Sequence, residues 1–132
     1  MIKDLVYSDF QNTVSEMVLY NHSILDLLSK TQEASARVQR AITKSVTLCG
    51  CVKIEARKKN IPPDASLADL RDLLESHLQG EMCADCRESV EREIGQVLFY
   101  LAAISNILNI NLYDVVIKEH NQLTLLGRFN MA

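Results

Sequence analysis

Apolar residues recur along most of this chain at intervals of three and four, the spacing of one face of an α-helix. The strict alternation of apolar and polar residues that marks a half-buried strand is absent from the sequence. Only four Gly and two Pro occur in the chain, and they form no repeat. The sequence therefore predicts an all-α fold, a bundle of four to five helices.

Two long helices are predicted for the first half of the chain. Apolar spacing places the first over residues 4–28, with an interruption at residues 21–23. Ser29 and Gln32 have the spacing of a capping box, so a second helix is expected to start near residue 30. It is expected to continue to the basic run 57–59, because cations favour the negative end of a helix dipole.

Polar caps and glycines mark the ends of three further predicted helices. These are a short helix between Ser66 and Gly80, a fourth helix from about residues 83–87 to 109, and a last helix over 112–124 with Asn111 and Asp114 at its start and Gly127 at its end.

Length and charge limit the classes of protein to consider. The chain has 132 residues, the size of one domain, with 48% hydrophobic and 23% charged residues, so a packed core is expected. A net charge of −3 argues against a nucleic-acid partner. The N-terminus lacks an apolar segment of signal-peptide length, and no apolar run approaches the roughly 18 residues of a membrane span. We expect a cytoplasmic protein without a membrane partner.

Four cysteines occur as two close pairs, Cys49-Gly50-Cys51 and Cys83-Ala84-Asp85-Cys86. A CxxC at a loop-to-helix junction is a common half of a tetrahedral zinc site, because both sulfurs can turn to one ion. In a reducing compartment, cysteines are expected to be thiols or metal ligands rather than structural disulfides. The two pairs therefore indicate a four-cysteine zinc site, with His77 as a further candidate ligand.

Helix geometry leaves alternatives open for these cysteines. Residues two apart on a regular helix differ by about 200° in direction, so Cys49 and Cys51 share an ion only if Gly50 loosens the turn. Cys49 could instead pack in the core, where free cysteines are often buried. A thiol–disulfide switch and inert thiols are the other interpretations.

A second group of polar residues lies on the predicted fourth helix. Glu93, Gln96 and Tyr100 flank its apolar stripe, since positions three and four apart share a helix face. Helical bundles use carboxylates in such places to hold hard cations such as magnesium. Alternatively, Glu88, Glu91 and Glu93 are solvated side chains that favour the positive end of the helix dipole.

The run from Glu93 to Ala102, followed by Asn109-Ile110-Asn111-Leu112, resembles the second motif of the MazG-like nucleotide pyrophosphohydrolases. That motif is a helix reading E-x-x-D, an apolar run with aromatic residues, and a short turn into a final helix. The resemblance covers about residues 35–125 and is clear over 91–113. It implies a single MazG-like domain over residues 1–132, completed by dimerisation or a larger homo-oligomer, that uses Mg²⁺ to split nucleoside triphosphates into monophosphate and pyrophosphate.

Carried over by position, the resemblance places Glu93 at the first acid of the second motif and Gln96 where the family has Asp. Aligning Gly50 with the glycine of the family's first motif, E-E-x-x-E, gives its three acid positions to Thr47, Leu48 and Cys51. In the family a further acid often follows the first motif, and Glu55 lies one residue away from that position. Magnesium prefers several anionic oxygens and binds thiolates poorly. The resemblance thus implies a magnesium site that has been lost or rebuilt.

Three hypotheses follow. The first is a MazG-like fold with a degenerate magnesium site, in which Glu93, Gln96 and Glu55 are the candidate catalytic residues, a nucleotide is the ligand, and hydrolysis is impaired or altered. The second is a non-enzymatic zinc- or redox-responsive protein that uses its four cysteines. The third is a structural dimer without a ligand.

Overall fold

The computed structural model of this chain describes residues 2–18 and 23–130, with side chains as far as residue 126. Within these residues the fold is predominantly helical, which confirms the predicted class, and one small antiparallel sheet is added. The elements are α1 (Ile2–Met17), α2 (Ile24–Lys44), β1 (Val52–Ile54), α3 (Leu67–Leu73), β2 (Leu78–Gly80), α4 (Ala84–Ile107) and α5 (Leu112–Asn130).

The chain divides into two compact units, of which the first combines Met1–Ala36 with Ile94–Ala132. Its core contains one or two buried side chains from each of three helices, with half-buried apolar side chains packed around them. The buried residues are Val14 of α1, Leu27 of α2, and Ala102 and Ala103 of α4. Phe99 and Tyr100 extend this core with an edge-to-face ring contact, their centroids 5.1 Å apart.

A buried glutamine fixes the turn between α4 and α5 inside the first unit. The Gln11 residue is only 8% exposed. Its amide nitrogen donates to the Asn106 side chain and to the Ile110 carbonyl, both at 3.0 Å, and its amide oxygen accepts the Leu112 N–H at 2.9 Å. Asn106 in turn donates to the Gln11 carbonyl at 2.9 Å. One side chain thereby satisfies backbone groups that a helix end leaves without partners.

Replacing Gln11 with alanine is expected to destabilise the protein by about 2 kcal/mol, because buried donors and acceptors would lose their partners. Thermal unfolding followed by circular dichroism would measure the loss. Asn12→Ala at the exposed neighbouring position is the matched control and should change the melting temperature little. Equal losses for the two variants would contradict the role given to Gln11.

The second unit is Arg37–Glu93, and its distinguishing element is the sheet formed by β1 and β2. The strands are antiparallel, with Val52 opposite Gly80 and Ile54 opposite Leu78. Val52 is fully buried. Gly80 has φ of 89°, and a Cβ at this position would lie 2.8 Å from the Cys51 carbonyl oxygen. Glycine is therefore required there on both conformational and steric grounds.

The start of α2 differs from the prediction. The helix begins at Ile24 rather than near residue 30, and Ser29 lies inside it. The Ser23 hydroxyl accepts the Leu25 N–H at 3.2 Å, which is the bond of an N-terminal cap.

The predicted extent of the first helix, residues 4–28, is wrong, because α1 ends at Met17 and residues 24–28 belong to α2. Of the predicted interruption, Ser23 is outside both helices, and residues 19–22 lie outside the described part of the chain.

The predicted continuation of the second helix to residues 57–59 is wrong. The α-helix ends at Lys44 and is followed by one wide, π-type turn over Ser45–Cys49. Gly50 then adopts a left-handed conformation with φ of 77°, which ends the helix. Residues 52–54 form a strand instead, because two β-branched residues alternate with a lysine and find a partner strand.

The later predictions hold at most helix boundaries. Ser66 caps α3 through a capping box with Asp69, whose carboxyl pKa is lowered by the hydrogen bond from the Ser66 backbone N–H. However, α3 ends at Leu73, and the residues up to Gly80 include β2 rather than more helix. The predicted fourth helix is confirmed as α4.

The predicted last helix is confirmed at its start and wrong at its end. The Asn111 side-chain oxygen accepts the Asp114 N–H at 3.2 Å, so the predicted cap of α5 is present. The helix continues through Gly127 to Asn130, because a glycine inside a helix weakens it without ending it.

Among the described residues, no single helix combines the length and apolar character needed to cross a membrane. Helices α4 and α5 meet that test only when taken together, and they are bent by 107° at the break between them.

Candidate metal centre

The four cysteines come together in the second unit. Their sulfur atoms, from Cys49, Cys51, Cys83 and Cys86, all lie within 4.8 Å of one another. The Cys49 and Cys83 sulfurs are 3.8 Å apart, although the residues are 34 positions apart in sequence. All four are free thiols, one exposed and three half-buried. The predicted pairing of the two cysteine motifs around one point is therefore present in the fold.

Gly50 brings the first pair of sulfurs together. Its N–H donates to the Ser45 carbonyl at 2.9 Å across the wide turn, and its left-handed backbone redirects the chain out of the helix. The fully buried Ser45 anchors this turn. The Cys51 thiol also approaches the Ser45 carbonyl, at 3.7 Å. The loosened turn that the cysteine hypothesis required is thus found at Gly50.

The second pair of sulfurs lies at the start of α4. Cys83 directly precedes the helix, and its sulfur accepts the Cys86 backbone N–H at 3.5 Å. A sulfur in this position replaces the oxygen of a usual N-terminal cap. The positive end of the helix dipole also favours negative charge there. Thiolates, the form of cysteine that binds metals, are therefore stabilised at this end of α4.

Cys83 and Cys86 differ in pKa because they hydrogen-bond to one another. The Cys86 backbone N–H, followed by the Cys86 side chain, lowers the pKa of Cys83 to about 7. Hydrogen bonding with Cys83, together with burial, raises the pKa of the Cys86 thiol. Without a metal, the Cys83 thiol therefore loses its proton at a lower pH than the Cys86 thiol. A bound cation would favour the thiolate form of every ligand.

Without metal, Cys83 is expected to be alkylated first by iodoacetamide near neutral pH. A lowered pKa means that its thiolate fraction, and hence its rate, rises through about pH 7, well below the ordinary value of 9.0. Cys86 should lag at every pH up to that value, because its pKa is raised. Quenched labelling followed by peptide mass spectrometry would give the four rates. Urea-unfolded protein is the control, and its four cysteines should be alkylated at similar rates. If the same order of rates is found in urea, the fold does not cause the difference.

The geometry of the cluster suits a four-coordinate metal with sulfur ligands. Four thiolates about 2.3 Å from a tetrahedral zinc ion have sulfurs about 3.8 Å apart, and the Cys49–Cys83 separation has this value. Four sulfur atoms suit zinc and, among redox metals, iron, whereas magnesium requires oxygen ligands. The cluster could therefore hold a thiophilic metal ion.

The three predicted catalytic residues lie elsewhere. Glu93 of α4 accepts a hydrogen bond from the Arg37 guanidinium at 3.2 Å, a half-buried ion pair in the second unit. Gln96 is exposed on the part of α4 that belongs to the first unit. Glu55 is exposed just after β1, with its carboxylate 4.0 Å from Arg57. Among the described residues, the cysteine cluster is the only group of three or more cysteine, histidine or acidic side chains placed to share an ion.

Sequence reasoning missed a set of residues in the second unit. The sequence predicts a helix end at Arg57, Lys58 and Lys59, but these residues line a cavity of about 270 Å³ instead. His77, the further candidate ligand, lines the same cavity and is not part of the cysteine cluster. No local signal in the sequence indicates this cavity, because the three-residue strand that replaces the end of the predicted helix is too short to show a period.

Comparisons of the chain with protein-family models, with curated proteins and with solved structures found no match.

Proposed function

We propose that this chain is a zinc-binding helical protein in which Cys49, Cys51, Cys83 and Cys86 hold one Zn²⁺ ion. The observation that carries the proposal is the convergence of all four sulfurs within 4.8 Å from two distant parts of the sequence. Chance proximity of two cysteine pairs would not also place one pair on a left-handed glycine turn and the other at a helix start.

Zinc in this site has a structural or regulatory role rather than a catalytic one. Four protein ligands fill a tetrahedral coordination sphere, whereas catalytic zinc keeps a position for water or substrate. The ion would join the end of the wide turn, the entry to β1 and the start of α4. A two-electron oxidant such as a peroxide would convert two thiolates to one disulfide, be reduced itself, and release the ion, so the site would respond to oxidants.

Cobalt substitution tests the ligand set directly. Metal-free protein titrated with Co²⁺ should develop the intense thiolate-to-cobalt absorption and the d–d bands of a tetrahedral site, saturating at one ion per chain. Zinc should then displace the cobalt and abolish the spectrum, since zinc prefers tetrahedral sulfur sites. Octahedral cobalt spectra, or saturation without thiolate bands, would refute a four-cysteine site.

The second candidate function is nucleotide pyrophosphohydrolysis by a MazG-like fold with a degenerate magnesium site. The observation in its favour is that α4 is followed by a short turn and then α5, the helix–turn–helix order that the resemblance implies. Against full activity, the Glu93 carboxylate is bound to Arg37, and Gln96 is an amide that supplies no charge to Mg²⁺.

Pyrophosphate release from nucleoside triphosphates in Mg²⁺ is therefore expected to be very slow or undetectable. An enzymatic pyrophosphate assay over a panel of nucleotides would measure it, with Glu93→Gln as the variant that should abolish any residual rate. Rapid turnover by the native chain would show that it has a functional magnesium site that we do not expect.

We also propose that the chain forms a homodimer, because several large apolar side chains on its helices face solvent. Leu98 and Ile107 of α4 are 48% and 46% exposed, and Leu125 of α5 is 80% exposed. A second copy of the chain would cover such a surface, as the family resemblance also implies.

Light scattering at micromolar concentration should give twice the 14.9 kDa chain mass. Leu98→Glu should shift the mass toward the monomer, because burying an added charge at an apolar interface is unfavourable. Gln96→Glu, which adds the same charge at another exposed position of α4, should leave the mass unchanged. A monomeric native chain would contradict the proposal.

A further inference from the structure

A cavity in the second unit carries an unusual concentration of positive charge. Its volume is about 270 Å³, and its lining includes the consecutive residues Arg57, Lys58 and Lys59. Glu75 supplies a carboxylate to the same lining. Three cations against one anion leave a net positive charge, which an anion would neutralise.

The basic run is held only weakly by charges of the protein itself. Arg57 lies 4.0 Å from the Glu55 carboxylate, and both side chains are at least half exposed. An exposed pair at that distance contributes little stability. An incoming anion can therefore recruit the guanidinium without breaking a strong contact.

His77 supplies an independent sign of a ligand. Its Nδ1 atom is buried and has no hydrogen-bond partner within the described structure. Its φ of 62° is a left-handed conformation that few non-glycine residues adopt, although histidine does so more readily than most. Unsatisfied buried polar atoms and left-handed side-chain-bearing residues concentrate at binding sites.

The sheet holds the cavity lining in place. The His77 carbonyl accepts the Glu55 N–H at 2.8 Å, which extends the β1–β2 pairing by one position. The basic run begins two residues after Glu55, so the last pair of the sheet places the start of the run close to His77 along the chain. The basic run itself has no regular secondary structure, but the strand pairing that precedes it fixes the position at which it begins.

We propose that this cavity binds a phosphate-type oxyanion, either free or as the end group of a nucleotide. A phosphate group has several acceptor oxygens, which match the fork of an arginine and the point charges of two lysines. The imidazole of His77 can donate one further hydrogen bond. The proposal depends neither on zinc in the cysteine site nor on hydrolysis.

Calorimetric titration of the native chain with inorganic pyrophosphate at low ionic strength tests it. Binding at one site per chain is expected. The double variant Arg57→Gln/Lys59→Gln should weaken it roughly tenfold or more, because two charge-assisted contacts are lost. The matched control Lys53→Gln/Arg71→Gln removes the same charge from exposed positions of the same unit outside this lining and should change the affinity less than about twofold.

Two further variants distinguish an anion site from a cation site and test the part played by the imidazole. Glu75→Gln removes the carboxylate that would repel an anion, so it should tighten pyrophosphate binding, whereas a cation site would respond oppositely. His77→Gly keeps the left-handed backbone and removes the imidazole, so it should weaken binding. Zinc content is measured in every sample, so that loss of the metal is recognised separately.

Adenosine triphosphate provides the second arm of the titration. Equal affinity for pyrophosphate and for the nucleotide identifies the phosphate group alone as the ligand, and tighter binding of the nucleotide identifies the nucleotide. The absence of binding by both probes overturns the proposal. Equal losses in the two double variants, or weaker binding by Glu75→Gln, overturn it as well.

Discussion

Replacing Cys83 with serine is expected to remove most of the bound zinc and to lower the melting temperature by about 10 °C or more. A site with three thiolates binds zinc far more weakly, and structural zinc is coupled to folding because the unfolded chain has no preformed site. A loss of about 3 kcal/mol corresponds to a shift of this size for a chain of this length. Elemental analysis of protein purified without added metal, together with thermal unfolding, measures both effects.

The control for this variant is Ala84→Ser, which introduces the same hydroxyl at the next, exposed position. It should retain stoichiometric zinc and nearly the native melting temperature. Amide hydrogen exchange should show that Cys83→Ser loses protection first in β1 and β2, since these strands adjoin the cysteines. If the native protein contains no metal and Cys83→Ser leaves the melting temperature unchanged, the thiols are inert. If elemental analysis finds iron instead of zinc, iron is the metal of this site.

Adding a methyl group at position 80 is expected to destabilise the protein nearly as much as Cys83→Ser. In Gly80→Ala the new Cβ would meet the Cys51 carbonyl oxygen at 2.8 Å, and backbone on both sides would have to move. The left-handed conformation adds about 1–2 kcal/mol for any residue with a side chain. We expect a total loss of about 3 kcal/mol in urea unfolding and weaker zinc binding in a competition assay, because Cys51 would be displaced.

Gly50→Ala is the matched control, because Gly50 also has a positive φ, but a methyl group added there would meet no atom of another part of the chain within 4 Å. This variant should lose only the conformational contribution, about 1–2 kcal/mol. A Gly50→Ala loss as large as that of Gly80→Ala would show that contact with Cys51 is not what makes glycine necessary at position 80.

Local signals predicted the helices well wherever a cap or a long periodic run defined them. The 24-residue α4 has continuous apolar spacing, and Ser66 and Asn111 make the side-chain caps that their sequence positions indicated. The strands were missed because each has three residues, too few to show a period. Val52 pairs with Gly80, far along the chain, and no local pattern specifies such a register.

The cysteine site was predictable only in part, because its geometry also depends on contacts between distant parts of the chain. Spacing alone identified two pairs of candidate ligands, but a regular helix would have directed Cys49 and Cys51 away from each other. The left-handed φ of Gly50, which brings them together, is a tertiary outcome that a glycine permits without requiring. The basic cavity was not predictable, because its lining depends on the strand that replaces the end of the expected helix.

The distance along the chain between the two cysteine pairs also bears on the order of folding. Cys49 and Cys83 are 34 residues apart, and closing a loop of that length costs roughly 3–4 kcal/mol of chain entropy. If zinc binds the two cysteine pairs early in folding, β1 and β2 are brought close together before they pair. Strand pairing then requires no slow search between distant parts of the chain. Refolding in the presence of zinc should therefore be faster as well as more complete, and the strands should gain protection immediately after the metal binds.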